Sequence, residues 1–211
     1  MIIPCYCLDH GFFKMTENCY LTAAKYGNVD EYIIVDDGSP YRTWTLTGDR
    51  VRMIRREENR GYPAAVNLGL REATGDVLII SNNDIVFTPH WFDELLKPLQ
   101  RGYDISSIRI TDSDGWTTED KITEGDKFGS LWAMKRRVYE TIGGFDESFG
   151  RGTFEDTDYR RRAIQAGFRI AKNHNGLVEH IARATFRVVD PEGDGFRRNR
   201  EIFRRKWGTV E

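Results

Sequence analysis

Two apolar runs that end abruptly in polar residues constrain the fold of this chain more than any other feature. They are EYIIVDDGSP at residues 31–40 and DVLIISNNDIVF at residues 76–87. A strand that a parallel sheet buries on both faces is apolar throughout, and open α/β sheets bind ligands beyond the carboxyl ends of such strands. The runs therefore predict two buried parallel strands with a candidate binding edge at Asp36, Asp37 and Asp84. Taken alone, either polar end could also be only a turn.

Helical patterns alternate with these strands. Residues 2–6 predict a short strand, and apolar residues at helical spacing follow it as far as Gly27. Residues 51–76 predict another brief strand, a loop, and a helix with Pro63 in its first turn. Strands and helices that alternate in this way favour an α/β fold with a central, mostly parallel twisted sheet flanked by helices.

The later elements are predicted from less regular patterns. Thr88 and Pro89 are expected to begin a helix, as its N-cap and its first residue. Residues 103–110 predict a strand that leads into a polar hairpin around Trp116. Residues 168–180 predict two further short strands, so the second half of the chain should extend the sheet.

Composition narrows the class of protein. With 211 residues, of which 39% are hydrophobic, the chain suits one domain with a sizeable core, and its net charge of −2 argues against nucleic-acid binding through bulk charge. Cys5, Cys7 and Cys19 are an odd set without CxxC spacing, which predicts reduced thiols. No basic leader or long apolar segment stands out, so we expect no transmembrane segment and a cytoplasmic location.

The stretch GGFDESFGRGTFEDTDY, residues 143–159, places five carboxylates within seventeen residues. Its two glycines predict a tight turn, and its phenylalanines predict anchors into the core. Thr153 is predicted to be the N-cap of a helix, which places Glu155 and Asp156 in the first turn. There the helix dipole favours ionised carboxylates, as a general base requires. On the residues alone, these acids could equally serve only to complement the dipole and pair with the arginines that follow.

The order of these motifs resembles that of family 2 glycosyltransferases, which have the GT-A fold. The chain carries I-I-P-x-Y, V-D-D-G-S, GGFDE and ED-x-D, and residues 59–69 are close to N-x-G-x-x-x-A-x-N-x-G. It departs from the family pattern at Val66, where an arginine is frequent, and at Asn82, where the family has the first acid of an aspartate-x-aspartate motif. Asp84 matches the last acid of that motif.

The resemblance covers residues 2–208 and implies a fold and a reaction. The expected fold is one GT-A catalytic domain, 1–211, with a nucleotide-binding half at 1–100 and an acceptor and catalytic half at 101–211, which could belong to a longer polypeptide. The implied reaction is inverting transfer of a sugar from a nucleoside diphosphate to an acceptor hydroxyl.

The resemblance also implies roles for individual residues. Asp156 would be the general base, with Glu155 as its nearest competitor. A divalent cation, Mn²⁺ or Mg²⁺, would lie at Asp84 and His180, because one carboxylate can hold such an ion when phosphate and water complete its shell. The residues assigned to the nucleotide-sugar are Pro4, Tyr6, Asp36, Asp37, Asn59, Gly61, Asn67 and Asn83.

The implied partners are a UDP- or dTDP-sugar donor and a glycan or glycoconjugate acceptor, without nucleic acid. The motif wording most resembles rhamnosyltransferase members, which favours a UDP- or dTDP-linked deoxysugar such as rhamnose over UDP-glucose. A non-catalytic nucleotide-sugar or glycan-binding module stays open because of Asn82. A dinucleotide enzyme is disfavoured, because no strand is followed by G-x-G-x-x-G.

The basic helix predicted at residues 196–208 has three possible uses. It could be a solvated face that closes the domain, a seat for an anionic or lipid-linked acceptor, or a nucleic-acid patch. Family members often end in a similar helix, which favours the first use.

Overall fold

A computed structural model of the chain describes residues 1–41, 46, 48–111, 121–125, 129–181 and 193–208. Its strands are β1 (Ile2–Cys5), β2 (Tyr32–Asp36), β3 (Val51–Arg55), β4 (Val77–Ser81), β5 (Ile85–Phe87), β6 (Ile105–Ile110), β7 (Ile122–Glu124), β8 (Leu131–Lys135) and β9 (Ile170–His180). Its helices are α1 (His10–Tyr26), α2 (Tyr62–Glu72), α3 (Trp91–Gln100), α4 (Arg136–Ile142), α5 (Glu155–Gln165) and α6 (Asp194–Trp207), with a 3₁₀ turn at Glu147–Phe149.

The described strands form one mixed sheet in the order β3-β2-β1-β4-β8-β6-β9-β5, and β7 also pairs with β9. The four strands β3, β2, β1 and β4 are parallel, as is the pair β6 and β9, whereas β8 runs antiparallel to both of its neighbours. The predicted α/β fold with a mostly parallel central sheet and flanking helices is confirmed.

Successive side chains of the strands pack into two hydrophobic cores, one on each face of the sheet. Ile3 of β1 packs into the core that α1 and α3 cover, whereas Ile2 packs into the core that α2, α4 and α5 cover. This alternation explains why β1, β2 and β4 carry apolar residues at successive positions. Cys5, Cys7 and Cys19 form no disulfide, in line with the predicted free thiols, and all three are buried.

The run at residues 76–87 is divided between two strands: the polar residues Asn82, Asn83 and Asp84 mark the end of the first, as predicted, whereas the second strand was not predicted. β4 ends at Ser81, and the residues that follow form a turn before β5 begins at Ile85. β5 then pairs antiparallel with β9 at the other edge of the sheet, with Ile85 opposite His180. The turn therefore places Asp84 beside His180 of β9, which lies far from it in the sequence.

Both predicted helix caps are wrong. α3 begins at Trp91 after His90, which has a φ of 68°, and the hydroxyl of Thr88 donates to the carbonyl oxygen of Leu177 at 2.5 Å. α5 begins after Phe154 without a side-chain cap. In each case the threonine hydroxyl has a partner elsewhere in the fold. Residues 168–180 also differ from the prediction, because they contain one strand, β9, with an irregularity where it pairs with β6.

The hairpin predicted around Trp116 lies outside the described residues. Among the helices that the structure describes, none is long and apolar enough to cross a membrane.

Candidate functional site

The carboxylate of Asp36 ends β2 and is fully buried. Its Oδ1 accepts from the backbone N–H of Ser39 at 2.9 Å, and its Oδ2 pairs with the guanidinium of Arg55 on β3. A buried charge needs such a partner, since an unpaired carboxylate is strongly disfavoured there. Arg55 also donates to the carbonyl oxygen of Ser39 at 2.7 Å, so this pair fixes the turn after β2.

Asp37 organises the loop that precedes α2. Its carboxylate accepts from the backbone N–H groups of Gly61 at 2.7 Å and Arg60 at 3.1 Å, and Arg56 lies 3.3 Å away. Burial raises the pKa of Asp37, and these donors oppose the rise. Asn59 also accepts from the Gly61 N–H, at 3.0 Å. The side chains of Asp37 and Asn59, both assigned to the nucleotide-sugar, therefore hold the loop.

Gly61 brings the two halves of the chain together. Its φ is 90°, and a Cβ at this position would lie 1.9 Å from the carbonyl oxygen of Gly150. No side chain fits between these two backbones. The loop after β3 and the loop before α5 therefore lie against each other.

Asn67, assigned to the nucleotide-sugar, joins α2 to the GGFDE turn. Its Oδ1 accepts from the N–H of Phe145 at 2.7 Å, and its Nδ2 donates to the carbonyl oxygen of Phe145 and to Glu147, both at 2.9 Å. A Cβ at Gly144 would lie 2.2 Å from Asn67 Oδ1, so only glycine permits this contact. The Asn67 amide therefore has a structural role.

The other assigned donor residues lie at the same end of the sheet. Asn83 is buried, and its amide donates to the hydroxyl of Thr16 on α1 at 2.8 Å. Pro4 is buried in β1 opposite Val35, and Tyr6 is half-buried just beyond that strand. The contacts of Asn83, Pro4 and Tyr6 with a donor stay predictions.

Asp84 and His180, assigned to a cation, are adjacent. The pairing of β5 with β9 brings His180 Nε2 to 3.0 Å from Asp84 Oδ1, and both side chains are mostly buried. The hydroxyl of Ser130 lies 3.3 Å from the same nitrogen. Within the described ranges, no group of three or more His, Cys, Asp or Glu side chains could hold a metal. A carboxylate and an imidazole suit Mn²⁺ when phosphate and water supply the remaining ligands.

The acids at the start of α5 differ in their surroundings. Glu155 is buried (8% exposed), and its Oε2 has no hydrogen-bond partner among the residues that the structure describes. Asp156 is half-buried, and its Oδ1 accepts from the N–H of Thr157 at 2.6 Å and from its hydroxyl at 3.2 Å. Burial, and then the charge of Asp156, raises the pKa of Glu155 to about 8. Burial also raises the pKa of Asp156, but the Thr157 donors oppose that rise.

The raised pKa of Glu155 predicts a pH-dependent stability. The folded state holds this proton up to about pH 8, whereas the ordinary value is 4.5, so the free energy of unfolding should fall as pH rises through that window. We expect Glu155→Gln to lack this loss. Between pH 5 and pH 9 its free energy of unfolding should rise by about 1–3 kcal/mol relative to that of wild type. Urea unfolding at a series of pH values measures it, with exposed Glu140→Gln as the control. Parallel pH profiles for wild type and Glu155→Gln would contradict the prediction.

Tyr62, on α2, lies within electrostatic range of Glu155, Asp156 and Asp84. Burial raises its pKa well above the usual value, and the charges of Glu155, Asp156 and Asp84 contribute further, in that order. Its ring also meets that of Phe145 edge-on, with centroids 6.4 Å apart. The candidate base and the candidate cation residue thus share one neighbourhood.

Asp158, the third acid of this helix, has a structural role. It is fully buried and pairs with Arg162 at 2.9 Å and Lys206 at 2.8 Å. Trp207 Nε1 donates to it at 2.9 Å. Arg162 and Lys206 neutralise this carboxylate, so Asp158 is less suited than Glu155 or Asp156 to act as a base.

Comparison with known proteins gives a family match over most of the chain. Residues 1–160 match the model of Glycosyl transferase family 2. A dolichol-phosphate mannosyltransferase of Pyrococcus furiosus is 35% identical over 81 residues, which are 36% of this chain and 23% of the relative. An undecaprenyl-phosphate 4-deoxy-4-formamido-L-arabinose transferase of Edwardsiella ictaluri is 25% identical over 124 residues, 55% of this chain and 38% of the relative. The chain thus spans well under half of the length of these relatives.

Solved structures share the fold. GalNAc-T7, crystallised with UDP, GalNAc and Mn²⁺, superposes with a TM-score of 0.74 at 16% identity, over 87% of this chain and 43% of that protein. The mannosyltransferase PcManGT of Pyrobaculum calidifontis, in complex with GDP-Man and Mn²⁺, gives 0.66 at 21% identity, over 87% and 56%. These likenesses show the GT-A fold. The match over residues 1–160 establishes that the chain belongs to glycosyl transferase family 2.

Proposed function

We propose that this chain is the catalytic domain of an inverting glycosyltransferase that moves a sugar from a nucleoside diphosphate to an acceptor hydroxyl. In this proposal residues 1–100 bind the donor, and residues 101–211 supply the base and the acceptor site. The observation that carries the proposal is the pairing of β5 with β9, which brings His180 Nε2 to 3.0 Å from Asp84 Oδ1. A carboxylate and an imidazole held together in this way suit a divalent cation that binds the diphosphate of a sugar donor.

In the proposed mechanism, Asp156 accepts the proton of the acceptor hydroxyl while that oxygen bonds to the anomeric carbon. The bond from this carbon to the diphosphate oxygen breaks at the same time, and the nucleoside diphosphate leaves as an anion. A divalent cation held by Asp84 and His180 would neutralise charge on the departing diphosphate. Attack opposite the leaving group inverts the configuration.

Asp156 is a better candidate for the base than Glu155. With its pKa at about 8, Glu155 holds a proton at neutral pH and cannot accept another. Asp156 receives two hydrogen bonds from Thr157, and these stabilise its charged form. Neighbouring carboxylates whose pKa values diverge can take different roles in catalysis.

The names of the relatives suggest classes of donor and acceptor. GalNAc-T7 was crystallised with UDP, and PcManGT with GDP-Man. The curated relatives are named for dolichol phosphate and undecaprenyl phosphate, so a polyprenol phosphate joins the proposed acceptors. With that acceptor the attacking atom would be an ionised phosphate oxygen, which brings no proton for Asp156 to accept, so the general-base step applies to a hydroxyl acceptor. The exposed face of α6 carries Arg197, Arg200 and Arg204 beside Glu201, a net positive charge that would suit an anionic acceptor.

A panel experiment tests the proposed function. We expect at least one nucleotide-sugar among UDP-glucose, UDP-GalNAc, UDP- and dTDP-rhamnose and GDP-mannose to raise the melting temperature with Mn²⁺, because a ligand that binds only the folded state stabilises it. The same donor should transfer its sugar to a polyprenol phosphate or glycan, with inverted configuration. Binding without turnover would favour the non-catalytic module, and no binding at all would reject the proposal. The cytoplasmic location stays a prediction.

Asp37 is predicted to contribute to nucleotide affinity. Asp37→Ala should weaken binding of UDP or dTDP by about 1–3 kcal/mol, the range for leaving a buried hydrogen-bonding group unpaired. Because Asp37 also holds the N–H groups of Arg60 and Gly61, part of this loss will come from the loop. Calorimetry on Asp37→Ala and Asp36→Ala, each beside a urea unfolding curve, measures it. Wild-type affinity in both variants would leave this strand end with a turn role only.

A further inference from the structure

The segment that leads into α5 has a conformation that its sequence does not favour. Thr153 and Phe154, which directly precede Glu155, have φ values of 77° and 68°. A residue with a side chain in this left-handed region costs about 1–3 kcal/mol, so two in succession persist only where other contacts hold them. α5 has no side-chain cap that could supply such a contact.

The contacts come from Asn199 on α6. Its side chain is 1% exposed, and its Nδ2 lies 2.6 Å from the carbonyl oxygen of Phe149 and 2.5 Å from that of Gly152. The carbonyl and hydroxyl oxygens of Thr153 each lie 3.3 Å from the same nitrogen. Since an amide nitrogen carries two hydrogens, the shorter contacts are the principal bonds. One side chain thus ties the loop before α5 to α6.

This position requires a hydrogen-bond donor. The Oδ1 of Asn199 is buried and accepts no hydrogen bond within the described part of the chain, which costs about 1–3 kcal/mol. An apolar residue would avoid that cost but would leave the loop carbonyls unpaired. An aspartate, which only accepts when ionised, would place its charge against those carbonyl oxygens.

α6 also contacts residues on both sides of the first turn of α5. Phe203 is fully buried, and its ring centre lies 5.4 Å from that of Phe154. One turn further along α5, Asp158 accepts from Trp207 Nε1 at 2.9 Å. These contacts lie before and after the two candidate catalytic acids, so a displacement of α6 would displace those acids.

We propose that Asn199 is a positioning residue for sugar transfer, because it fixes the loop before α5 and with it the direction of the Asp156 carboxylate. The inference rests on the proposed function. It concerns a helix beyond residues 1–160, which are the part that matches the family.

The test compares Asn199→Asp, Asn199→Ala, Asn199→Gln and the control Arg205→Ala. Arg205 is an exposed residue of the same helix. We expect Asn199→Asp and Asn199→Ala to lower kcat by at least about tenfold, since a 1 Å misplacement can cost about 10²-fold. The donor KM should change less than kcat, because this loop meets the assigned donor residue Gly61 only through its backbone, at Gly150. Asn199→Gln, which keeps the amide donors, should recover part of kcat, and Arg205→Ala should match wild type.

An NMR titration of the Glu155 carboxyl carbon gives a second readout that does not need activity. The wild-type pKa is raised to about 8 by burial and by Asp156. Release of the loop in Asn199→Ala should admit water and lower this pKa by at least about one unit. An unchanged titration, or wild-type kcat in a folded Asn199→Asp protein, would overturn the proposal. A wild-type protein that transfers no sugar from any donor would instead contradict the proposed function, while the titration still tests the hold of Asn199 on the loop.

Discussion

Asp156→Asn should reduce the single-turnover rate of sugar transfer by at least about 10²-fold, because general-base assistance contributes about 10²–10⁴-fold and an amide cannot accept the proton. The substitution keeps the size of the side chain and an oxygen that can accept from Thr157, so the start of α5 should stay intact. Donor affinity should remain close to wild type, since the assigned donor residues lie in the other half of the chain.

Glu155→Gln is the matched control for Asp156→Asn. Because Glu155 has a pKa of about 8, it is already neutral at pH 7, and its amide should transfer sugar far better than Asp156→Asn does. An inactive Glu155→Gln beside an active Asp156→Asn would move the base by one residue. If both variants kept near wild-type rates, with donor binding intact, α5 would not be the catalytic helix.

The strands of the donor-binding half could be predicted from the sequence because burial on both faces leaves a plain apolar signal. β1, β2 and β4 lie within the predicted runs. The polar residues after Ser81 mark the end of β4, but β5 could not be found as a separate strand, because it has only three residues. What separates them is the pairing of β5 with β9, and its partner residue His180 lies far along the chain.

The two helix caps show a second limit of prediction from sequence. Thr88 and Thr153 are suitable cap residues by type, yet one hydroxyl donates to the backbone of β9 and the other lies beside the amide of Asn199. Their partners come from distant segments, so local spacing could not reveal them. For Thr153, the positive φ also moves the start of α5 to the residue after Phe154.

The candidate site was predicted in part. Asp84 and His180, which the resemblance assigned to a cation, lie 3.0 Å apart, and their role with a cation stays a prediction. Asn67 was assigned to the donor from its position in the motif, and that position cannot reveal that its amide is bonded to Phe145. Tyr62 was missed because an aromatic residue on the apolar face of a helix is typical of a core.

Asp84→Ala and the isosteric Asp84→Asn should abolish the Mn²⁺-dependent part of donor affinity. Asp84 is the acid at this strand end, and a diphosphate brings more negative charge than the protein alone can neutralise there. We expect a loss of at least about tenfold, since changing even the outer neighbours of a metal ligand costs about 10–100-fold. Calorimetric titration of UDP and a UDP-sugar, with Mn²⁺ and with EDTA, separates the cation-dependent part from the rest.

The histidines of β9 supply the controls for Asp84. His180→Ala should lose less affinity than Asp84→Asn, because an imidazole adds a ligand but no negative charge. His174, on the same strand, pairs with the hydroxyl of Thr123 at 2.8 Å, so His174→Ala should keep the wild-type response to Mn²⁺. Equal affinities with Mn²⁺ and with EDTA in wild type and Asp84→Asn would remove the cation from this site. If His180→Ala alone kept wild-type affinity, Asp84 would remain the cation ligand. The role of His180 would then be to hold β9 against the turn before β5.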